Sequence, residues 1–89
     1  MDYRDEMLTI TMEECAEVIQ ACSKILRFGP DSEHEGVTAL DSLEKELGDL
    51  QMMIDLLHQH DLVSFTRMDE YANQKYEKLK KFSNLIFED

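Results

Sequence analysis

The chain has 89 residues and a formal net charge of −11. This length predicts a single domain over residues 1–89, and the charge argues against a nucleic-acid backbone or an anionic membrane as the main partner. A cation, or an anion that arrives with a cation, fits the charge better. The sequence shows neither a signal peptide nor an apolar run that could span a bilayer, so we expect a cytoplasmic protein.

The first predicted helix runs from about Asp5 to Phe28 and ends at the stop signal Gly29-Pro30. It carries two apolar stripes at helical spacing, so we expect it to pack against more than one neighbour. We expect both cysteines to be buried, because they lie on one of these stripes. We also expect them to be reduced, because seven residues of one helix separate them by about 10 Å, too far for a disulfide. The first stripe is Leu8, Met12, Cys15, Ile19, Cys22 and Leu26; the second is Met7, Ile10, Val18, Ala21, Ile25 and Phe28.

Residues 29–37 form the predicted loop, which is acidic and contains two glycines and the proline. The second helix is predicted from Asp41 or Ser42 to about His60. Asp41 at the N-cap with Glu44 three residues later resembles a capping box.

The third helix is predicted to begin between Leu62 and Ser64 and to reach at least Phe82. We find no alternation of apolar and polar residues that would predict a strand. The expected fold is therefore all-α, with three main antiparallel helices that complete a helical bundle by oligomerisation.

Two pairs of carboxylates are predicted to lie on apolar helix faces. At 100° per residue, Glu14 falls inside the second stripe of the first helix and Glu17 at its edge. Glu46 and Asp49 lie on the apolar side of the second helix. Facing pairs would repel unless a cation joins them, and oxygen ligands without histidine or cysteine favour Mg²⁺, with Mn²⁺ as an alternative, over zinc. Any one of these glutamates alone is more commonly a solvated surface residue.

The sequence EECAE at residues 13–17, followed by ELGD at 46–49, resembles the EExxE…ExxD signature of the MazG-like, all-α nucleoside triphosphate pyrophosphohydrolases. The end of the first helix, with Lys24, Arg27 and Gly29, is also similar to that family. The resemblance covers residues 8 to 80, nearly the whole chain.

This resemblance implies a Mg²⁺-dependent enzyme that cleaves a nucleoside triphosphate to the monophosphate and pyrophosphate, working as a homodimer or tetramer. The implied metal ligands are Glu14, Glu17, Glu46 and Asp49. These four and Glu13 are the implied catalytic residues. The role of Glu13 stays open between accepting a proton and supporting the ligands.

The resemblance also indicates nucleotide contacts from Lys24 and, on the third helix, from Asn73, Lys75 and Lys78. Lys75 lies on the apolar side of its helix, where it either extends its ammonium out to solvent or directs it at a phosphate. Asn73 falls on the polar side.

Two other functions remain open at this stage. One is a metal-binding helical oligomerisation or adaptor module without turnover. The other is a related enzyme that acts on a different pyrophosphate-bearing molecule, such as a phosphoribosyl-nucleotide. The base and sugar preference and the number of metal ions are open as well.

Overall fold

The computed structural model describes residues 2–87. Its helices are α1 (Tyr3–Phe28), α2 (Ala39–Gln59) and α3 (Phe65–Phe82), and a two-stranded antiparallel hairpin of β1 (Glu33–His34) and β2 (Val37–Thr38) joins α1 to α2. The chain is mostly helical, as the sequence predicts. Over this described part, no helix is both long enough and apolar enough to cross a lipid bilayer.

Both ends of α1 are capped by local hydrogen bonds. The helix begins two residues earlier than predicted, because Asp2 Oδ1 accepts a hydrogen bond from the Asp5 N–H at 2.9 Å. It ends at Phe28, as predicted. Gly29 has a positive φ of 89°, and its N–H donates to the Ile25 carbonyl at 2.8 Å.

The segment predicted to be irregular contains the β-hairpin. Its two central residues, Glu35 and Gly36, have φ values of 52° and 82°. Positive φ at both positions is what a type I′ turn needs, and that turn matches the twist of the paired strands. The prediction that the chain has no strand is therefore wrong for residues 33–38. Two-residue strands are too short to show an alternating pattern.

The N-terminus of α2 is capped by Thr38 rather than by Asp41. The Asp41 N–H donates to Thr38 Oγ1 at 3.0 Å, and the Thr38 N–H donates to Asp41 Oδ2 at 3.3 Å. These reciprocal bonds form a capping box three residues before the predicted one, so the predicted box of Asp41 and Glu44 is wrong. The hairpin is thus followed directly by α2, with no intervening loop.

The chain divides into two compact units between Leu57 and His58. The first unit contains α1, the hairpin and nearly all of α2. Within residues 2–87, the buried apolar residues are Met7, Ala21, Ala39, Met53 and Leu57. All of them come from α1 and α2, so the core that holds these two helices is small.

The first apolar stripe of α1 is exposed. Met12, Ile19 and Leu26 are 72%, 69% and 87% exposed. Cys15 and Cys22, on the same stripe, are exposed and form no disulfide, so the prediction of two buried thiols is wrong. An uncovered apolar stripe of this length is typical of a surface that contacts another molecule.

The second unit contains α3. Ser64 caps the helix by accepting a hydrogen bond from the Arg67 N–H at 3.3 Å, and the helix ends at Phe82, within the predicted bounds. The His58 ring stacks on the Phe65 ring with centroids 3.7 Å apart. Along its described length, Phe65–Phe82, α3 has no buried residue.

Candidate metal centre

The structure brings together four carboxylates from α1 and α2. Glu14 and Glu17 lie three residues apart on α1, and Glu46 and Asp49 three apart on α2. One carboxylate oxygen from each lies within 4.8 Å of one from every other. These are the four residues that the sequence pattern singles out. Their role as metal ligands stays a prediction.

The carboxylates belong to one continuous face on each helix. The spacing alternates between three and four residues, which keeps the side chains on one side of an α-helix. The carboxylates of α1 lie beside those of α2, and Phe28 at the end of α1 lines the same cleft as Ala39 at the start of α2. The two helices therefore run antiparallel. On α1 the face is Glu14, Glu17, Ala21, Lys24 and Phe28; on α2 it is Met53, Asp49, Glu46, Ser42 and Ala39.

Two oxygens of the cluster are buried without a hydrogen-bond donor. Among the described residues, Glu14 Oε2 and Glu46 Oε2 have no partner, and the Glu46 side chain is only 16% exposed. A buried carboxylate oxygen without a partner is costly, so the site needs a cation or a proton. A set of carboxylate oxygens fits a hard cation such as Mg²⁺.

The crowding of the carboxylates raises the pKa of Glu17 from 4.5 to about 7. The largest cause is a hydrogen bond between the Glu17 carboxyl and Glu46, which favours the protonated form. The negative charges of Glu14 and Glu46 act in the same direction. The crowding therefore favours a proton on the cluster up to about neutral pH.

Lys45 is a cation that the sequence analysis missed. Its Nζ lies 2.9 Å from Asp49 Oδ2 and 3.4 Å from Glu46 Oε1. Hydrogen bonding to Asp49 and the charge of that carboxylate raise the pKa of Lys45, with a smaller contribution from Glu46. The four-residue spacing between Lys45 and Asp49 is the sequence signal that could have found this contact.

A cleft of about 320 Å³ opens beside the cluster, and we call it the carboxylate cleft. Glu17 and Glu46 line it together with Lys24 and Lys45. Lys24, predicted from the resemblance to contact nucleotide, thus lies in the same cleft as two of the carboxylates. A cleft with both carboxylates and ammonium groups is suited to a metal ion together with an anionic ligand.

Four other predicted site residues are not among the clustered carboxylates. Glu13 is exposed on α1 and is not one of the four clustered carboxylates. Asn73, Lys75 and Lys78 are exposed on α3, in the second unit. Their contact with a nucleotide stays a prediction.

No protein-family model, curated protein or solved structure matches this chain. The chemistry available to the site follows from its side chains. Carboxylates can bind a cation and accept protons, and the ammonium groups of Lys24 and Lys45 can donate hydrogen bonds to an anion.

Proposed function

We propose that the chain is a Mg²⁺-dependent nucleoside triphosphate pyrophosphohydrolase, of the MazG-like kind that its motifs resemble. It cleaves a ribo- or deoxyribonucleoside triphosphate to the monophosphate and pyrophosphate. The observation that carries the proposal is the convergence of four carboxylates within 4.8 Å of one another, beside a cleft that two lysines line. Separate acidic and basic patches would not provide this combination.

The proposed ligands of Mg²⁺, or of Mn²⁺ in its place, are Glu14, Glu17, Glu46 and Asp49. When bound, the metal neutralises charge on the transferring phosphoryl group and on its oxygens. A bound cation would also offset the cost of the buried, unpartnered oxygens of Glu14 and Glu46.

Protein side chains supply the remaining chemistry. Lys24 and Lys45 donate hydrogen bonds to phosphate oxygens and orient the triphosphate. A glutamate of the site accepts a proton from the attacking water. Glu13 is exposed one residue before the first ligand, and its role stays open between accepting that proton and supporting a ligand. As the water oxygen bonds to phosphorus, the bond from that phosphorus to the α–β bridging oxygen breaks, and pyrophosphate departs.

A metal-binding oligomerisation or adaptor module without turnover is the second candidate. The exposed stripe of α1 favours it, because Met12, Ile19 and Leu26 present an apolar surface to a partner. The enzyme and the module both use this stripe against a second copy of the chain, in a homodimer or a tetramer. Pyrophosphate release separates the two functions.

The test measures pyrophosphate release from each nucleoside triphosphate in the presence of Mg²⁺. The four carboxylates are converted to amides one at a time. We expect each change to lower turnover at least tenfold, since even the loss of a group that supports a metal ligand costs about 10- to 100-fold. Glu44→Gln, an exposed change on α2, is the matched control and should keep the wild-type rate.

Two results would contradict the enzyme. One is release of orthophosphate alone, and the other is no release from any nucleotide. In either case the adaptor module takes its place, provided that Mg²⁺ still binds.

We also propose a cytoplasmic location and no nucleic-acid or membrane partner. Cys15 and Cys22 are exposed, unpaired thiols, and such thiols persist in a reducing compartment. The net charge of −11 disfavours binding to polyanions.

A further inference from the structure

A second cleft continues from the carboxylate cleft toward the end of α1. It has a volume of about 420 Å³ and lies between the last turns of α1, the β-hairpin and the first turns of α2. We call it the hairpin cleft. Small-molecule sites typically have volumes of about 300–1,000 Å³, with mainly apolar lining and a few polar groups. Phe28, Val37 and Ala39 supply apolar lining here, and Glu33, His34 and Ser42 supply polar groups.

The two clefts share Lys24 and Ser42 in their linings. Lys24 therefore stands at the boundary, with the carboxylates on one side and Phe28 on the other. Along α1, Phe28 lies about 6 Å beyond Lys24, and Glu17 lies about 10 Å before it. If the phosphates of a ligand occupy the carboxylate cleft and reach Lys24, the rest of the ligand can enter the hairpin cleft.

Phe28 is an exposed aromatic ring at this position. It is 64% exposed, although it continues the helix face that carries the carboxylates. The Arg27 guanidinium carbon lies 5.0 Å from the centroid of the Phe28 ring, and Arg27 Nε donates to the Ser23 carbonyl at 3.4 Å. These contacts hold the guanidinium against the ring. An exposed ring in a cleft offers a stacking surface to a flat aromatic ligand, which phosphate alone does not use.

We propose that the hairpin cleft binds the nucleobase of the substrate, with the base stacked on Phe28 and the phosphates held on the far side of Lys24. The identity of the ligand as a nucleotide rests on the proposed function. At the cleft, the Glu33 carboxylate is a hydrogen-bond acceptor and the His34 ring supplies a donor and an acceptor. Such groups recognise the polar edge of a base.

The test compares a ligand that has a base with one that has none. The first is a nucleoside triphosphate analogue in which a methylene group replaces the α–β bridging oxygen, prepared with each of the four bases. The second is inorganic tripolyphosphate. Calorimetry with Mg²⁺ measures the affinity for both. We expect Phe28→Ala to weaken analogue binding about fivefold or more, the loss that follows from removing one stacked base, and to leave tripolyphosphate binding unchanged.

Two further variants make the result specific. Phe28→Tyr keeps the ring and should keep the wild-type affinity. Phe82→Ala is the matched control, because Phe82 is also the last residue of a helix and is 75% exposed. It should bind both ligands like the wild type.

The proposed base pocket is wrong if Phe28→Ala binds the analogue as tightly as the wild type, or if the wild type binds no analogue. It is also wrong if Phe28→Ala weakens the binding of tripolyphosphate as much as that of the analogue. Turnover tests the proposed function separately. A wild type that binds the analogue through Phe28 but releases no pyrophosphate keeps the base pocket and loses the enzyme. If the wild type releases pyrophosphate but Phe28→Ala binds the analogue with unaltered affinity, the enzymatic function stands and the base pocket is wrong.

Discussion

Replacing Lys45 with methionine should change metal binding and nucleotide binding in opposite directions. Lys45 Nζ lies 2.9 Å from Asp49 Oδ2 and 3.4 Å from Glu46 Oε1. Both carboxylates are proposed metal ligands, so the ammonium and the metal compete for the same groups. Methionine keeps an apolar side chain of similar reach and removes only the charge.

The size of the effect on metal binding follows from the exposure of these ion pairs. The Lys45 side chain is 68% exposed, and ion pairs between exposed side chains are weak because solvent screens them. The lysine precedes Asp49 in the helix, which is the weaker orientation for a pair four residues apart. We expect the loss of the two contacts to tighten Mg²⁺ binding only modestly, about two- to fivefold.

The effect on the nucleotide has the opposite sign. A hydrogen bond from an ammonium to a charged acceptor contributes about 1.5–3 kcal/mol, so we expect the KM for the nucleotide to rise about tenfold or more. Calorimetric Mg²⁺ titration at low and at physiological salt, together with steady-state kinetics, measures both quantities. The gain in Mg²⁺ affinity should shrink as salt screens the exposed pairs.

Lys81→Met is the control, since Lys81 is an exposed lysine of α3 that is neither a proposed metal ligand nor a proposed nucleotide contact. It should leave Mg²⁺ affinity unchanged. Weaker Mg²⁺ binding in Lys45→Met, or an unchanged KM for the nucleotide, would refute the competition argument.

Three other predictions concern proton binding, assembly and α3. Because the folded-state pKa of Glu17 is about 7 and its ordinary value is 4.5, the folded protein binds more protons in that window, and its stability falls as pH rises from 4.5 to 7. Thermal unfolding in a chelator should show this slope in the wild type and not in Glu17→Gln; equal slopes would contradict the cause. Sedimentation equilibrium should show species larger than 10.4 kDa at micromolar concentration, and Ile19→Asp on the exposed stripe should shift them toward monomer. A wild type that sediments only as a monomer would exclude assembly through α1. Lys75→Ala should raise the KM for the nucleotide and leave Mg²⁺ affinity unchanged, and the phosphate contact is wrong if kinetics show no change in KM.

Helical periodicity accounts for what the sequence predicted well. A residue advances about 100° around an α-helix whatever the helix packs against, so residues on one face can be identified before the neighbour is known. Glu14 and Glu17 on one helix, and Glu46 and Asp49 on the other, were placed in this way, and the structure brings all four together. Strong stop and cap signals likewise predicted the end of α1 at Phe28.

Shorter features were beyond the reach of periodicity. A hairpin with two residues in each strand shows no repeat, so β1 and β2 were missed. The cap of α2 was misplaced because an aspartate suits either the N-cap or the third position of a capping box. The backbone geometry of the hairpin decides between them, since it brings Thr38 to the N-cap position, where it exchanges hydrogen bonds with Asp41.

The sequence by itself determined which side chains share a face of each helix, because that depends only on the geometry of one helix. The tertiary structure decided which faces are covered and which side chains meet across helices. Cys15 and Cys22 have the spacing of core residues, yet the face that packs on α2 is the one with Glu14 and Ala21. The hairpin cleft arises in the same way, since the antiparallel arrangement of α1 and α2 brings residues distant in sequence, such as Phe28 and Ala39, to one surface. Contacts between segments depend on how the chain turns and packs, and that is a property of the whole fold.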